Sequence, residues 1–234
     1  MRTFQLFFLF FTLFAFGQTP FTDVTKESGI DNIYDVYQGL FGGGVVAFDF
    51  NNDGFEDLYI TGGKSQDVLY KNNGDGTFTD VIEESGLFKN KIIVTTGVSS
   101  ADVNKDGYID LLVTTIASED NQTKKKKTLS PNLLFLNNGD GTFTDVSSKF
   151  GLTKINFSTS SSFGDINADG YPDLFIGNYF KNFYFEDSPF GTHNIALLNH
   201  YSINEEYETG DDELYINIDG KYLKDVSWSW INTS

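Results

Sequence analysis

The chain has 234 residues, 33 of them acidic against 16 basic, a formal net charge of -17 and no cysteine. Charge of that sign repels phosphate backbones and argues against a nucleic-acid partner. The missing cysteine excludes a disulfide framework, a cysteine-anchored lipoprotein, a thiol nucleophile and a thiolate metal site. Strong acidity can signal disorder, but 24 Phe and an aromatic content of 16% argue for a packed core.

The N-terminus reads as an export signal rather than a membrane anchor. Met1-Arg2 is a positive start, and Phe4 to Phe16 is apolar apart from Gln5 and Thr12. Ala15-Phe16-Gly17 offers small residues at a cleavage site, so residues 1–17 are expected to be removed and Gln18 to begin the mature chain. The apolar run is shorter than the roughly 20 residues of a spanning helix. A secreted or cell-surface protein, or a periplasmic one, is expected, with no membrane span after cleavage.

The mature chain opens with "FTDVTKESGI" at Phe21, which reads as a lone outer strand over Phe21 to Val24. Three units follow, at about 40–88, 92–152 and 157–227. Each carries D-x-N-x-D-G-aromatic-x-D-L, starting at Asp49, Asp102 and Asp165. A second element, "NNGDGTFTDV", recurs out of phase after Leu69 and Leu134, with a worn copy, "LYINIDGKYLKDV", at Leu214. Short runs rich in β-branched and aromatic residues, bounded by Gly, Asn and Asp, predict strands at Val45 to Phe48, Leu58 to Thr61, Val68 to Tyr70 and Thr77 to Val81. "NNGDGT" predicts a hairpin turn, and "EESGL" one helical turn ending at its glycine. Four strands per unit at this period predict all-β propeller blades. Three units are too few to close a ring, so a truncated propeller or an open arc is expected.

Two insertions change the unit lengths. Ser118 to Asn132 carries four lysines and reads as a solvated loop between the second and third strands of unit two. Asn178 to Asn194 interrupts unit three with six aromatics, which either fold back on the blade edge or form a contact surface.

The acidic turns ask for a counter-ion. Carboxylates a few ångströms apart repel, and a divalent cation among them reverses the sign. Calcium takes six to eight oxygens from carboxylates, amides, backbone carbonyls and water. Positions 1, 3, 5 and 9 supply them: Asp49, Asn51, Asp53 and Asp57; Asp102, Asn104, Asp106 and Asp110; Asp165, Asn167, Asp169 and Asp173. Position 7 (Phe55, Tyr108, Tyr171) would offer a backbone carbonyl, and glycine at position 6 lets the chain turn sharply. About three Ca2+ ions are expected. Position 12 is Ile60, Val113 or Ile176 within a strand-like run, so these are not EF-hands.

Phe163 to Gly177, "FGDINADGYPDLFIG", resembles the FG-GAP repeat of integrin α-subunit propellers. The "NNGDGTFTDV" elements are similar to bacterial VCBS-type, FG-GAP-like proteins related to cartilage acidic protein. The resemblance spans Phe21 to about Val226. It implies calcium held by the loops just named and a seven-bladed propeller. The short blade count, the long third-unit insertion and the drifted "NIDGKYLKDV" depart from that pattern and bear on ring closure.

Three functions fit. The first is a secreted or surface calcium-binding module, non-catalytic, that contacts a protein or glycan. The second is a calcium-dependent polysaccharide lyase or hydrolase on a propeller scaffold. The third is a purely structural domain of a longer surface protein. His193 and His200 have no H-E-x-x-H or nucleophile motif beside them, and Asp120, Glu186 and Asp187 read as solvated loop acids, which favours the first.

Overall fold

The structure, a computed structural model, describes residues 21–35, 42–87, 93–119, 127–128, 130–179 and 211–227. The expected signal segment, Asp120, Glu186, Asp187, His193, His200 and nearly all of the aromatic insertion lie outside the described residues.

The strands form three antiparallel sheets, each following chain order. The first holds β1 (Val45–Phe48), β2 (Asp57–Ile60), β3 (Val68–Asn72) and β4 (Phe78–Asp80). The single helical turn α1 (Ile82–Ser85) follows it and ends on Gly86 in the left-handed region, as "EESGL" predicts. The second holds β5 (Ile93–Ala101), β6 (Asp110–Glu119), β8 (Leu133–Asn137) and β9 (Phe143–Asp145), with the short β7 (Lys127–Thr128) added to β6. The third holds β10 (Ser158–Gly164), β11 (Asp173–Asn178), β12 (Glu213–Ile218) and β13 (Tyr222–Asp225). Each acidic turn joins the first and second strands of its sheet, and each Asn/Gly turn joins the third and fourth. The lysine-bearing insertion falls between β6 and β8, as expected. The drifted third copy still makes its hairpin. Asp219 and Gly220 both have positive φ, as the two central residues of a type I′ turn require, and the turn is closed by the Lys221 amide on Ile218 O at 3.0 Å.

The sheets stack face to face through the strand after each acidic turn. Successive residues of a strand point to opposite faces. Leu111 and Val113 therefore face the first sheet, packing with Phe48, Tyr59, Leu69 and Phe135, while Leu112 faces the third with Leu134, Leu174, Ile176 and Tyr215. This is why the "LLV" of Leu111 to Val113 is apolar throughout: the middle sheet is covered on both sides. Tyr59 and Leu112 occupy equivalent positions and are both 0% exposed, whereas Phe175, their counterpart in the third sheet, is 43% exposed. Full burial of such a side chain contributes about 1.5–3 kcal/mol. Among the described residues the third sheet thus keeps one face uncovered by a further sheet, and the three sheets form no closed ring.

Close approach of the first strands depends on glycine. A Cβ at Gly44 would lie 2.8 Å from Val98 N, and one at Gly97 would lie 2.7 Å from Thr159 O. Opposite each glycine a threonine hydroxyl binds its amide, Thr61 Oγ1 to Gly44 N and Thr114 Oγ1 to Gly97 N, both at 2.7 Å. In the third sheet the pair is reversed. Ser160 stands opposite Gly177, with its Oγ 2.6 Å from where a Gly177 Cβ would be. The hydroxyl fills the same gap from the other strand.

The N-terminal segment corrects one expectation. Residues 21–24 form no strand, because no third strand lies beside them among the described residues. The segment is nonetheless held as its counterpart in the second unit is. Ser28 O accepts the Phe78 amide at 2.8 Å, as Phe150 O of the second unit accepts the Leu223 amide at 2.9 Å. Asp31 exchanges two 3.0 Å hydrogen bonds with the Tyr70 hydroxyl.

Candidate metal centre

All three acidic turns adopt one conformation. The first carboxylate, Asp49, accepts the amides of Asp53 and Gly54 at 3.0 and 2.7 Å. Asp102 accepts those of Asp106 and Gly107 at 3.1 and 2.9 Å, and Asp165 those of Asp169 and Gly170 at 3.1 and 2.8 Å. The asparagine at position 3 accepts the position-5 amide with its oxygen and donates its Nδ2 to the position-5 carboxylate. That second bond is 2.9 Å at Asn51–Asp53 and 2.8 Å at Asn104–Asp106 and Asn167–Asp169. The position-5 carboxylate in turn accepts the amide of Phe55, Tyr108 or Tyr171 at 2.8–3.0 Å. Glycine at position 6 has φ of 87–90°, which only glycine adopts without strain. Position 4 is also left-handed, at Asn52, Lys105 and Ala168, a feature the sequence pattern alone does not announce.

The acid at position 9 behaves differently from the other two. Asp57, Asp110 and Asp173 are 0% exposed. One oxygen of each accepts the position-2 amide, from Phe50 at 3.1 Å, Val103 at 2.8 Å and Ile166 at 2.9 Å. The other accepts the amide of an asparagine at or next to the end of the third strand, Asn72 at 2.7 Å, Asn137 at 2.9 Å and Asn217 at 2.8 Å. The position-9 acid therefore ties its turn to the sheet. Burial, reinforced by the other two acids of the turn, pushes the Asp57 carboxyl up and takes that of Asp110 to about 7. Hydrogen bonds from the following backbone amides hold Asp53 and Asp169 below the usual carboxylate range.

The twelve side chains singled out from the sequence thus gather into three turns of common geometry. Their carboxylates are satisfied by amides, and among the described residues no three His, Cys, Asp or Glu side chains converge as a metal cage. A carboxylate oxygen has two lone-pair directions, so one amide bond leaves each oxygen able to accept a cation. Three carboxylates, an amide oxygen and a nearby carbonyl per turn are the hard donors calcium takes. The donor set fits.

The aromatic at position 7 has a second partner. A Cβ at Gly74 would lie 2.9 Å from the Phe55 ring, one at Gly139 2.5 Å from the Tyr108 ring, and one at Gly220 3.1 Å from the Tyr171 ring. Each ring lies on the bare backbone of its own unit's outer turn, which explains why "DG-aromatic" and the Asn/Gly turn recur together.

Residues 49–113 and 115–176, together more than half of the chain, match the FG-GAP-like repeat. The chain belongs to the FG-GAP-like repeat family. The three sheets are accordingly propeller-like blades of an FG-GAP repeat protein, and the acidic turns lie within the matched repeats. No curated protein matches the chain closely enough to add to that assignment.

The asparagines near the ends of the third strands are residues around the turns that the sequence reading passed over. Asn137 and Asn217 are buried, and each donates its Nδ2 to the turn of the preceding blade, to Phe50 O at 2.7 Å and Val103 O at 2.9 Å. The signal was present, since all three copies of the outer element keep an asparagine there.

Proposed function

We propose that this FG-GAP repeat module for interaction is calcium-loaded, secreted or surface-exposed, and non-catalytic, and that it presents its loops to a protein or glycan. The observation that carries the calcium reading is the buried position-9 acid. In each turn a fully buried carboxylate sits with two further acids, and burial disfavours its ionisation at Asp57 and Asp110. A cation at the turn offsets that cost. Asp49, Asn51, Asp53, Asp57 and the Phe55 carbonyl would hold the first ion. The equivalent sets at Asp102, Asn104, Asp106, Tyr108 and Asp110, and at Asp165, Asn167, Asp169, Tyr171 and Asp173, would hold the second and third. Bound calcium supplies positive charge; the chain supplies the fold that keeps the donors together. Magnesium suits the turns less, because it demands octahedral geometry and retains its waters.

The interaction role follows from the family, and the export signal in residues 1–17 supports a location outside the cytosol. No helix among the described residues is long and apolar enough to cross a membrane. Calorimetric titration of chelator-stripped protein with CaCl2 tests the reading. Three ions are expected for the wild type and two for Asp169→Ala; no heat of binding up to millimolar calcium would overturn it.

A further inference from the structure

The three turns are not independent of one another. Asn137 has a backbone amide that holds the Asp110 carboxylate of the second turn at 2.9 Å. Its side-chain Nδ2 reaches across the blade interface to Phe50 O at 2.7 Å, and to Ile109 O at 3.3 Å. Phe50 O belongs to the peptide that leads into Asn51, while the Phe50 amide binds Asp57. One buried residue therefore grips both turns at their ligand-bearing backbone. Asn217 repeats the arrangement, with its amide on Asp173 at 2.8 Å and its Nδ2 on Val103 O at 2.9 Å, next to Asn104. Further links run the same way. Asn52 Nδ2 donates to Gly107 O at 3.2 Å, and the Lys105 ammonium lies 4.4 Å from the Tyr171 ring centre. Asn72 is the internal control. It makes the same local bonds, to Asp57 through its amide and from Gly74 to its Oδ1, but its Nδ2 goes to Glu56 O of its own turn.

We propose that Asn137 and Asn217 are positioning residues that couple the three turns, so that an ion bound in one blade raises the affinity of the next. This rests on the calcium reading above. Ordering the backbone of one turn fixes the Phe50 or Val103 carbonyl, which fixes the asparagine, which holds the next blade's buried carboxylate. The second ion then meets a turn already ordered. Coupling of this kind is reciprocal between sites.

The experiment is calcium titration by calorimetry on the 234-residue chain and on variants. Asp53→Ala disables the first turn at an exposed position. Coupling predicts that the affinity of the second turn then falls by about 5-fold or more. By reciprocity, Asp106→Ala lowers the first turn's affinity by the same factor. Asn137→Ala removes the cross-blade bond and leaves the backbone amide to Asp110 in place. In that background Asp53→Ala should no longer affect the second turn, whereas in an Asn72→Ala background it should. Three ions bound in the wild type, with the second turn indifferent to Asp53→Ala, would overturn the coupling and leave the calcium reading standing. An Asp53→Ala effect that persists with Asn137→Ala would show that Asn137 is not the conduit. Absence of any calcium binding would remove both. Should Asn137→Ala not fold, the reciprocal Asp53→Ala and Asp106→Ala pair decides the coupling, because unequal factors are incompatible with linkage, and Asn137→Ser, whose short hydroxyl keeps the backbone amide on Asp110 but cannot reach Phe50 O, decides the conduit.

Discussion

Asp67 gives the sharpest stability test, away from the acidic turns. It is 3% exposed and accepts three hydrogen bonds, from Gly62 N at 2.7 Å, Tyr59 Oη at 2.6 Å and Thr95 Oγ1 at 2.5 Å, the last across the blade interface. Burial outweighs these bonds and raises its pKa from 3.8 to about 6. At about 1.36 kcal/mol per unit, that difference corresponds to roughly 3 kcal/mol. The folded state binds the proton more tightly than the unfolded one, so the contribution is fully present below pH ~4. It is lost as pH rises to about 6, and flat above. The second blade shows the neutral solution. Asn132 occupies the same place, accepting Thr115 N at 3.0 Å and donating to Ser158 Oγ at 2.8 Å. Asp67→Asn should therefore match the wild type near pH 4 and exceed it by roughly 3 kcal/mol at pH 7. Urea denaturation of both proteins from pH 4 to 7, with chelator present throughout, measures the difference at each pH. Because the other carboxylates titrate alike in both proteins, only the difference curve matters. A flat difference, or one that favours the wild type as pH rises, would refute the account of Asp67.

Chelation should lower the melting temperature of the calcium-loaded protein, since a ligand bound only to the folded state stabilises it; thermal scans with and without EDTA check this, and Asp169→Ala should show a smaller shift. Gly139→Ala combines a φ of +76° with a Cβ 2.5 Å from the Tyr108 ring and should cost about 1–3 kcal/mol in urea denaturation. Gly164→Ala, with open space and no left-handed backbone, should be neutral or slightly stabilising in the same assay. Leu112→Ala, at a position 0% exposed, should cost about 2–5 kcal/mol, whereas Phe175→Ala at the equivalent site of the third blade should cost clearly less. Equal losses at the two sites would mean that the outer face of the third blade is covered in solution.

Much of this architecture was legible because it is written three times. The acidic turns, the Asn/Gly hairpins and the strands between them follow from local residue types. Tight turns depend on local backbone conformation, and the structure reproduces Val45–Phe48 to the residue. What was not legible depends on neighbours in space. The sequence offers Asp57, Asp110 and Asp173 as acids like the others, but only the stacked sheets show them buried and turned to backbone amides. Asn137 reads as one letter of a turn until the preceding blade brings Phe50 O to its side chain. Residues 21–24 carry the same letters as a true outer strand, yet strand formation requires a partner, and composition cannot supply one.

The reversal of Thr–Gly to Gly–Ser between the second and third blades sets the grain at which such a protein can be rearranged. Grafting β10 alone into the second unit would bring Ser160 against Thr114 and crowd two side chains into one hole. Grafting β11 alone would leave Gly177 facing Gly97 and the hole vacant. Moved together, the two strands carry their own fit with them. The smallest piece that can be shuffled among such units, by recombination or by an engineer, is therefore the inner hairpin with its acidic loop.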